Sequence, residues 1–161
     1  MKKKDDKTNV MRILEQNGIP YTAHAYPADG PTDGVSVANI LGQDVEQVFK
    51  TLVTKAASGN YYVFDIPVAE NLDLKKAARA VGEKSIAMIP QKELLPLTGY
   101  VHGGCSPVGM KKQFHTVFHE TVILFDTICV SAGKIGAQVE VAPDALIALL
   151  GADTADVVVE A

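Results

Sequence analysis

Two apolar runs joined through Ser58-Gly59-Asn60 set the first limit on the fold. TLVTKA (51–56) and NYYVFDIPV (60–68) are rich in the residue types that favour strands. The short polar linker between them predicts a β-hairpin. Such a hairpin needs a covering layer, and helical patterns elsewhere supply one. TNVMRILEQNG predicts a first helix, capped by Thr8 or Asn9, with Val10, Ile13 and Leu14 inward and Gly18 as its stop. ENLDLKKAARAVG predicts another, with Asp73 as cap, Leu74, Ala77, Ala78 and Val81 inward, and Gly82 beyond its end. PDALIALLG predicts a third, with proline in the first turn and Gly151 after it.

The remaining segments are short. IPYTAHAY (19–26), SIAMI, residues 122–130, AQVEVA and ADVVVE read as strands. VSVANILGQ, DVEQVFK and PQKELLPLTG read as short helices. PADGPTDG (27–34) is a loop, and 99–112 is a glycine-rich connection. Strands and helices mix without a regular βαβ period. The expectation is therefore an α+β fold in one domain over 1–161, with 1–7 a flexible tail.

Composition narrows the function. With 19 acidic and 15 basic residues the net charge is −4. That field disfavours tight, non-specific nucleic-acid binding, and no DNA partner is expected. The basic start lacks an apolar signal-peptide core, and no run is long enough to span a membrane. Two cysteines, Cys105 and Cys129, form no CxxC pair. A cytoplasmic protein without membrane contact is the expectation.

Lys50 stands out, an ammonium inside the apolar run VFKTLV. It either snorkels to water or holds a charge in a cleft for an anionic or carbonyl group. GGCSP (103–107) is either a tight turn or a loop whose backbone N–H groups face a ligand. SAGKIG (131–136) repeats the theme with Ser131, Gly133 and Lys134. His102 with Cys105, and His115 with His119, fit no closed zinc pattern, so no metal is expected. Cys105 lacks an evident orienting triad, and Cys129 reads as core. The basic face of Lys75, Lys76 and Arg79 is either a solvated helix surface or a backbone contact for RNA.

Taken together, AHAY, VFKTLV, VFDIPVAENLDLKKAARAVG, TGYVHGGCSPVGMKK and SAGKIG resemble the YbaK family of aminoacyl-tRNA deacylases. They are also similar to the editing domain inserted in bacterial-type prolyl-tRNA synthetase. The resemblance runs over nearly the whole chain and is strongest to the Cys-tRNA(Pro) deacylase branch. It implies a mixed, barrel-like sheet surrounded by helices, and no cofactor. It also implies trans-editing, the removal of a mischarged small amino acid, cysteine above all, from tRNA(Pro). Prolyl-tRNA synthetase is the implied transient partner. The family's lysine falls on Lys50, and its GxxxP loop on Gly103 to Pro107. Tyr26 matches a pocket tyrosine, and Ser131, Gly133 and Lys134 match the family's last loop.

Two departures bear on amino-acid preference: a branch aromatic is replaced near Asp33 in a shorter loop, and a branch aspartate is replaced by Gln138. The site expected is a cleft walled by Tyr26, Lys50 and the 103–107 loop. In it Lys50 grips the terminal phosphate or ribose, and the N–H groups of Gly103 and Gly104 stabilise charge on the ester carbonyl. Ser106, Pro107, Ser131, Gly133 and Lys134 would line the substrate. Lys75, Lys76, Arg79, Lys111 and Lys112 would meet the tRNA backbone. The alternative is a non-catalytic nucleotide-binding, RNA-binding or protein-interaction module on the same scaffold. The placement of Lys50 and the 103–107 loop on one cleft or on two faces separates the readings.

Overall fold

The structure, a computed structural model, describes residues 7–160. The tail assigned to 1–7 thus lies outside the described residues except for Lys7, which pairs with Glu15 at 2.9 Å. Helix α1 (Asn9–Gln16) starts where the Thr8 hydroxyl accepts from the Met11 N–H, and it buries Val10, Met11 and Leu14. Strand β1 (Tyr21–Ala25) and helix α2 (Gly34–Leu41) follow, the latter capped by Asp33. The predicted hairpin is β2 (Phe49–Ala56) and β3 (Tyr61–Pro67). Helix α3 (Leu74–Ala80) is capped by Asp73, which accepts from the N–H groups of Lys75 and Lys76. Then come β4 (Ile86–Met88), α4 (Leu94–Thr98), β5 (His115–His119), β6 (Ile128–Ser131), β7 (Ala137–Val141), α5 (Pro143–Leu150) and β8 (Asp153–Ala155).

The strands form two sheets. One has the order β4-β2-β3-β5-β8, antiparallel at β2–β3 and β2–β4 and parallel at β3–β5 and β5–β8. The other is antiparallel, in the order β1-β7-β6. They meet at a single parallel bridge, Val48 to Cys129, so the expected mixed sheet is present without closing into a barrel. The main core lies between the sheets and includes Phe49, Val53, Val63, Phe118, Val130 and Val139. A second core forms where Ala77 and Ala78 of α3 pack on Phe64 and Ile66.

Four local expectations are corrected. DVEQVFK is not a helix: Asp44–Gln47 is a turn, and β2 begins at Phe49, earlier than the expected Thr51. Sheet pairing with β3 outweighs the weak helical signal there. Residues 120–124 form a 3₁₀ turn rather than the start of a strand, and they leave Ile123 and Leu124 exposed. ADVVVE is not a strand; β8 ends at Ala155, and Val158 makes one isolated bridge to Leu72. Leu74, expected inward, is 40% exposed because it occupies the first turn of α3, ahead of the buried Ala77 and Ala78.

The pairing of β2 leaves a gap that matters. Strand β4 covers its outer edge at Thr54–Ala56, and β6 approaches at Val48. In the β2–β3 ladder the even-numbered residues bond across the hairpin, as Val68 N–H to Val48 C=O and Ala56 N–H to Asn60 C=O show. Odd-numbered residues therefore turn their backbone groups to the outer edge, where the Ile89 N–H reaches Val53 C=O. Between these supports, Thr51 has no strand partner on that side among the described residues.

Candidate active site

A cleft of about 470 Å³ opens along this uncovered edge. Its floor is β2 from Phe49 to Val53, and Tyr26, Asp33, Gly103, Cys105, Ser131 and Gln138 reach its walls. Lys50 and the glycine loop thus face one space. Lys50 is half-buried, and burial pulls its ammonium below the ordinary lysine range, with the Glu70 charge opposing the shift. Among the described residues its Nζ makes no ion pair or hydrogen bond. A partly desolvated cation without a partner is poised to receive an anionic or carbonyl oxygen.

The 103–107 loop divides its work. Gly103 and Cys105 line the cleft, and their N–H groups have no partner among the described residues. Gly104 lies behind them. Its N–H donates to Val101 C=O at 3.0 Å and is not free for a ligand, contrary to the role expected of Gly104. A Cβ on Gly104 would sit 3.0 Å from the backbone of Lys134 and Ile135. Glycine there lets the 103–107 and 131–136 loops close on each other. Gly104→Ala is expected to cost about 1–3 kcal/mol of stability and to displace Gly103 from the cleft; urea unfolding beside an activity assay checks both effects. Ser106 is buried, and its hydroxyl accepts from the Val108 N–H. Pro107 is buried as well. Both shape the loop rather than line the cleft.

The other expected residues separate. Tyr26 is held where its N–H donates to Gly136 C=O, and Ser131 Oγ accepts from the Gly133 N–H. Gly133 packs against Tyr100 and Val10, and Lys134 is exposed; neither lines the cleft. Lys75, Arg79, Lys111 and Lys112 are exposed. Lys76 is committed to Asp156 at 2.9 Å and to Val158 C=O at 2.9 Å. Lys111 Nζ donates to Pro96 C=O at 3.3 Å.

Cys105 is ill suited to attack. Burial, with Asp65 adding to it, pushes its thiol up to about 12, so the nucleophilic thiolate is scarce at neutral pH. Cys129 packs in a small core with Ala38, Val48 and Val68. His119 accepts from the Val157 N–H, and His115 pairs with Asp153 at 2.7 Å, so the two do not form a metal pair. Among the described residues, the set that could hold a metal is His24, Cys129 and Glu140. It is self-satisfied: the Glu140 oxygens already bond His24 at 2.7 Å and Thr127 at 2.5 Å.

Two positions flagged as departures, Gln138 and Asp33, line the cleft, and a third feature, Thr51, escaped the sequence reading. Gln138 is buried and exchanges two amide hydrogen bonds with Gln43, at 2.8 and 3.2 Å. Asp33 faces the cleft while capping α2, and hydrogen bonds from Ser36 hold its carboxyl below the usual range. Thr51 lies on the floor, with its Oγ1 2.6 Å from Oδ1 of the fully buried Asp65. The available signal was an acid inside the apolar run VFDIPV, the counterpart of the lysine inside VFKTLV.

Comparisons with known proteins bear on the family and the fold. The family model for an aminoacyl-tRNA editing domain matches residues 32–149. An Enterococcus faecalis protein named "Putative Cys-tRNA(Pro)/Cys-tRNA(Cys) deacylase EbsC" is 43% identical over 157 residues, covering 97% of this chain and 96% of its own. A solved structure described as "a putative trans-editing enzyme for prolyl tRNA synthetase" is 29% identical, with a TM-score of 0.82 over 94% of this chain and 95% of that one. A hypothetical protein of known crystal structure, 22% identical, has a TM-score of 0.86 over 94% of this chain and 100% of its own; it bears on the fold alone.

Proposed function

The chain belongs to the aminoacyl-tRNA editing domain family, and from that premise we propose that it is a trans-acting deacylase that strips mischarged cysteine from tRNA(Pro). The observation that carries this reading is the unpaired Lys50 ammonium facing Gly103 and Cys105 across one cleft. The cleft suits a small terminal group such as an aminoacyl-adenosine, not a folded RNA. Lys50 supplies fixed charge for the terminal phosphate or ribose. The free N–H groups of Gly103 and Cys105 receive charge developing on the ester carbonyl oxygen. No cleft side chain is needed as nucleophile. The site orients the ester, and either water or the substrate's own thiol attacks.

The rest of the tRNA meets the protein outside the cleft. Lys75, Arg79, Lys111 and Lys112 are candidate contacts for its phosphates. A net charge of −4 makes solitary tRNA binding weak. Transient association with prolyl-tRNA synthetase raises the effective concentration of substrate. Such work belongs to the cytoplasm, and no helix among the described residues is long and apolar enough to cross a membrane.

The test measures amino acid released from Cys-tRNA(Pro), Ala-tRNA(Pro) and Pro-tRNA(Pro), with and without the synthetase. Release of cysteine with proline retained is expected. Free cysteine as the product indicates hydrolysis, and a cyclised thiolactone indicates attack by the thiol. Retention of all three amino acids, synthetase included, sinks the enzymatic reading in favour of a binding module.

A further inference from the structure

Asp65 has no part in the mechanism above, yet it stands directly behind the cleft floor. It pairs in register with Thr51 of β2 and Phe118 of β5. Its side chain is fully buried, and among the described residues Oδ2 has no hydrogen-bond partner. Among the described residues its one side-chain hydrogen bond joins Oδ1 to Thr51 Oγ1 at 2.6 Å. No cation faces it. Thr51 comes from β2, and from the loop after α4 comes the Cys105 thiol, with Tyr100 beyond, both pushed up to about 12. Phe118 carries no charge, and Lys50, next to Thr51, leaves β2 on the other side of the strand and lines the same cleft rather than facing Asp65. A carboxylate here would be an unpaired buried charge.

The protonation state of Asp65 decides which way the Thr51 hydroxyl points. An ionised Asp65 only accepts, so Thr51 would donate inward and offer the cleft no hydrogen. A neutral Asp65 carries its own O–H, and Thr51 Oγ1 is the acceptor within reach. An orphaned buried donor is costlier than an under-satisfied carbonyl oxygen. The acid then donates to Thr51, and the Thr51 hydrogen turns to the cleft.

We propose that Asp65 is a positioning residue for deacylation, a neutral acid that donates to Thr51 Oγ1 and so aims the Thr51 hydroxyl as a donor at the bound aminoacyl ester. The inference rests on the deacylase reading of the cleft. Burial pushing the Asp65 carboxyl up to about 8 accords with it, since the donor would then be present at neutral pH and be withdrawn above it.

The experiment combines variants with a direct view of the acid. Carbon-13 NMR of labelled aspartate should show Asp65 neutral at pH 7. Thr51→Val keeps the shape and removes the donor; kcat on Cys-tRNA(Pro) should fall about tenfold with KM little changed. Asp65→Leu should fall similarly, and the double variant no further. Asp65→Asn still donates to Thr51 but cannot ionise. It should retain activity at pH 7 and lose the decline the wild type shows as pH rises through about 8. Persistence of that decline in Asp65→Asn assigns it to Lys50 and overturns the proposal. So does an ionised Asp65 at pH 7, or full activity in Thr51→Val. A wild type inactive on every aminoacyl-tRNA overturns the deacylase reading instead, and the NMR spectrum separates the two failures.

Discussion

Lys50→Ala is expected to abolish measurable release of cysteine from Cys-tRNA(Pro) while leaving the fold intact. Lys50 holds its ammonium half-buried without an ion-pair partner among the described residues, so no such pair is lost when it is removed. Its backbone role in β2, opposite Ile66, survives in any residue that tolerates a strand. The loss falls on the substrate. A preorganised charge or donor in a partly dry cleft contributes on the order of 100- to 1,000-fold in rate. Removing a poorly solvated cation should even be neutral to slightly favourable for stability. The informative comparison is Lys50→Arg. It keeps the charge but replaces a compact ammonium with a planar fork, and should recover only part of the activity. Initial rates of deacylation beside urea unfolding decide the matter. Full activity in Lys50→Ala would remove Lys50 from the site.

The second large effect is on stability. Asp65→Asn should be more stable than the wild type at pH 8, and the advantage should shrink as pH falls towards 4. Burial raises the folded-state pKa of Asp65 from 3.8 to about 8, outweighing the pull of a Thr51 hydroxyl that donates to the ionised form. Between those values the unfolded chain releases a proton that the folded chain keeps. The folded state then binds more protons, so its stability falls as pH rises, by about 1.4 kcal/mol per pH unit from this one group. Below pH 4 both states are protonated and the contribution is complete. Above pH 8 both are ionised and it is gone. Asparagine has no such dependence, so the gap between the two proteins isolates Asp65 from every other titrating group. Urea midpoints at pH 4, 6 and 8 read it directly. A gap that stays constant with pH would mean that Asp65 titrates normally in the fold.

That a chain keeps such a group is consistent with use. A valine or isoleucine at position 65 would continue the apolar run of β3 without the penalty of a buried acid. The aspartate instead meets a threonine on the open edge of β2, one residue from the lysine of the site.

Periodicity, caps and breakers were legible along the chain. Thr8 and Asp73 cap the helices expected of them, and Gly151 terminates α5 in a left-handed conformation. The hairpin of β2 and β3 formed around its predicted turn. These are local choices, made within a few residues by hydrogen bonds and side-chain spacing. Lys50 stood out by residue type, Tyr26 and Gly103 entered through the family resemblance, and all three line one cleft. Where the local signal was weak, long-range pairing decided. It made a strand start of Phe49–Lys50, and a 3₁₀ turn formed at Glu120–Leu124.

The division of labour inside the motif was decided by tertiary structure alone. Gly103 and Gly104 are adjacent and identical, yet one lines the cleft and the other presses on Lys134 and Ile135. Lys75 and Lys76 are equally adjacent, but Asp156 takes only the second. Thr51 and Asp65 are 14 residues apart and became partners only because the hairpin register set them opposite each other. Sequence determines which chemical groups a chain carries and which short elements they ride on. Which of those groups remain unpaired is decided by contacts between distant segments, and the unpaired groups are the ones free to act on a substrate.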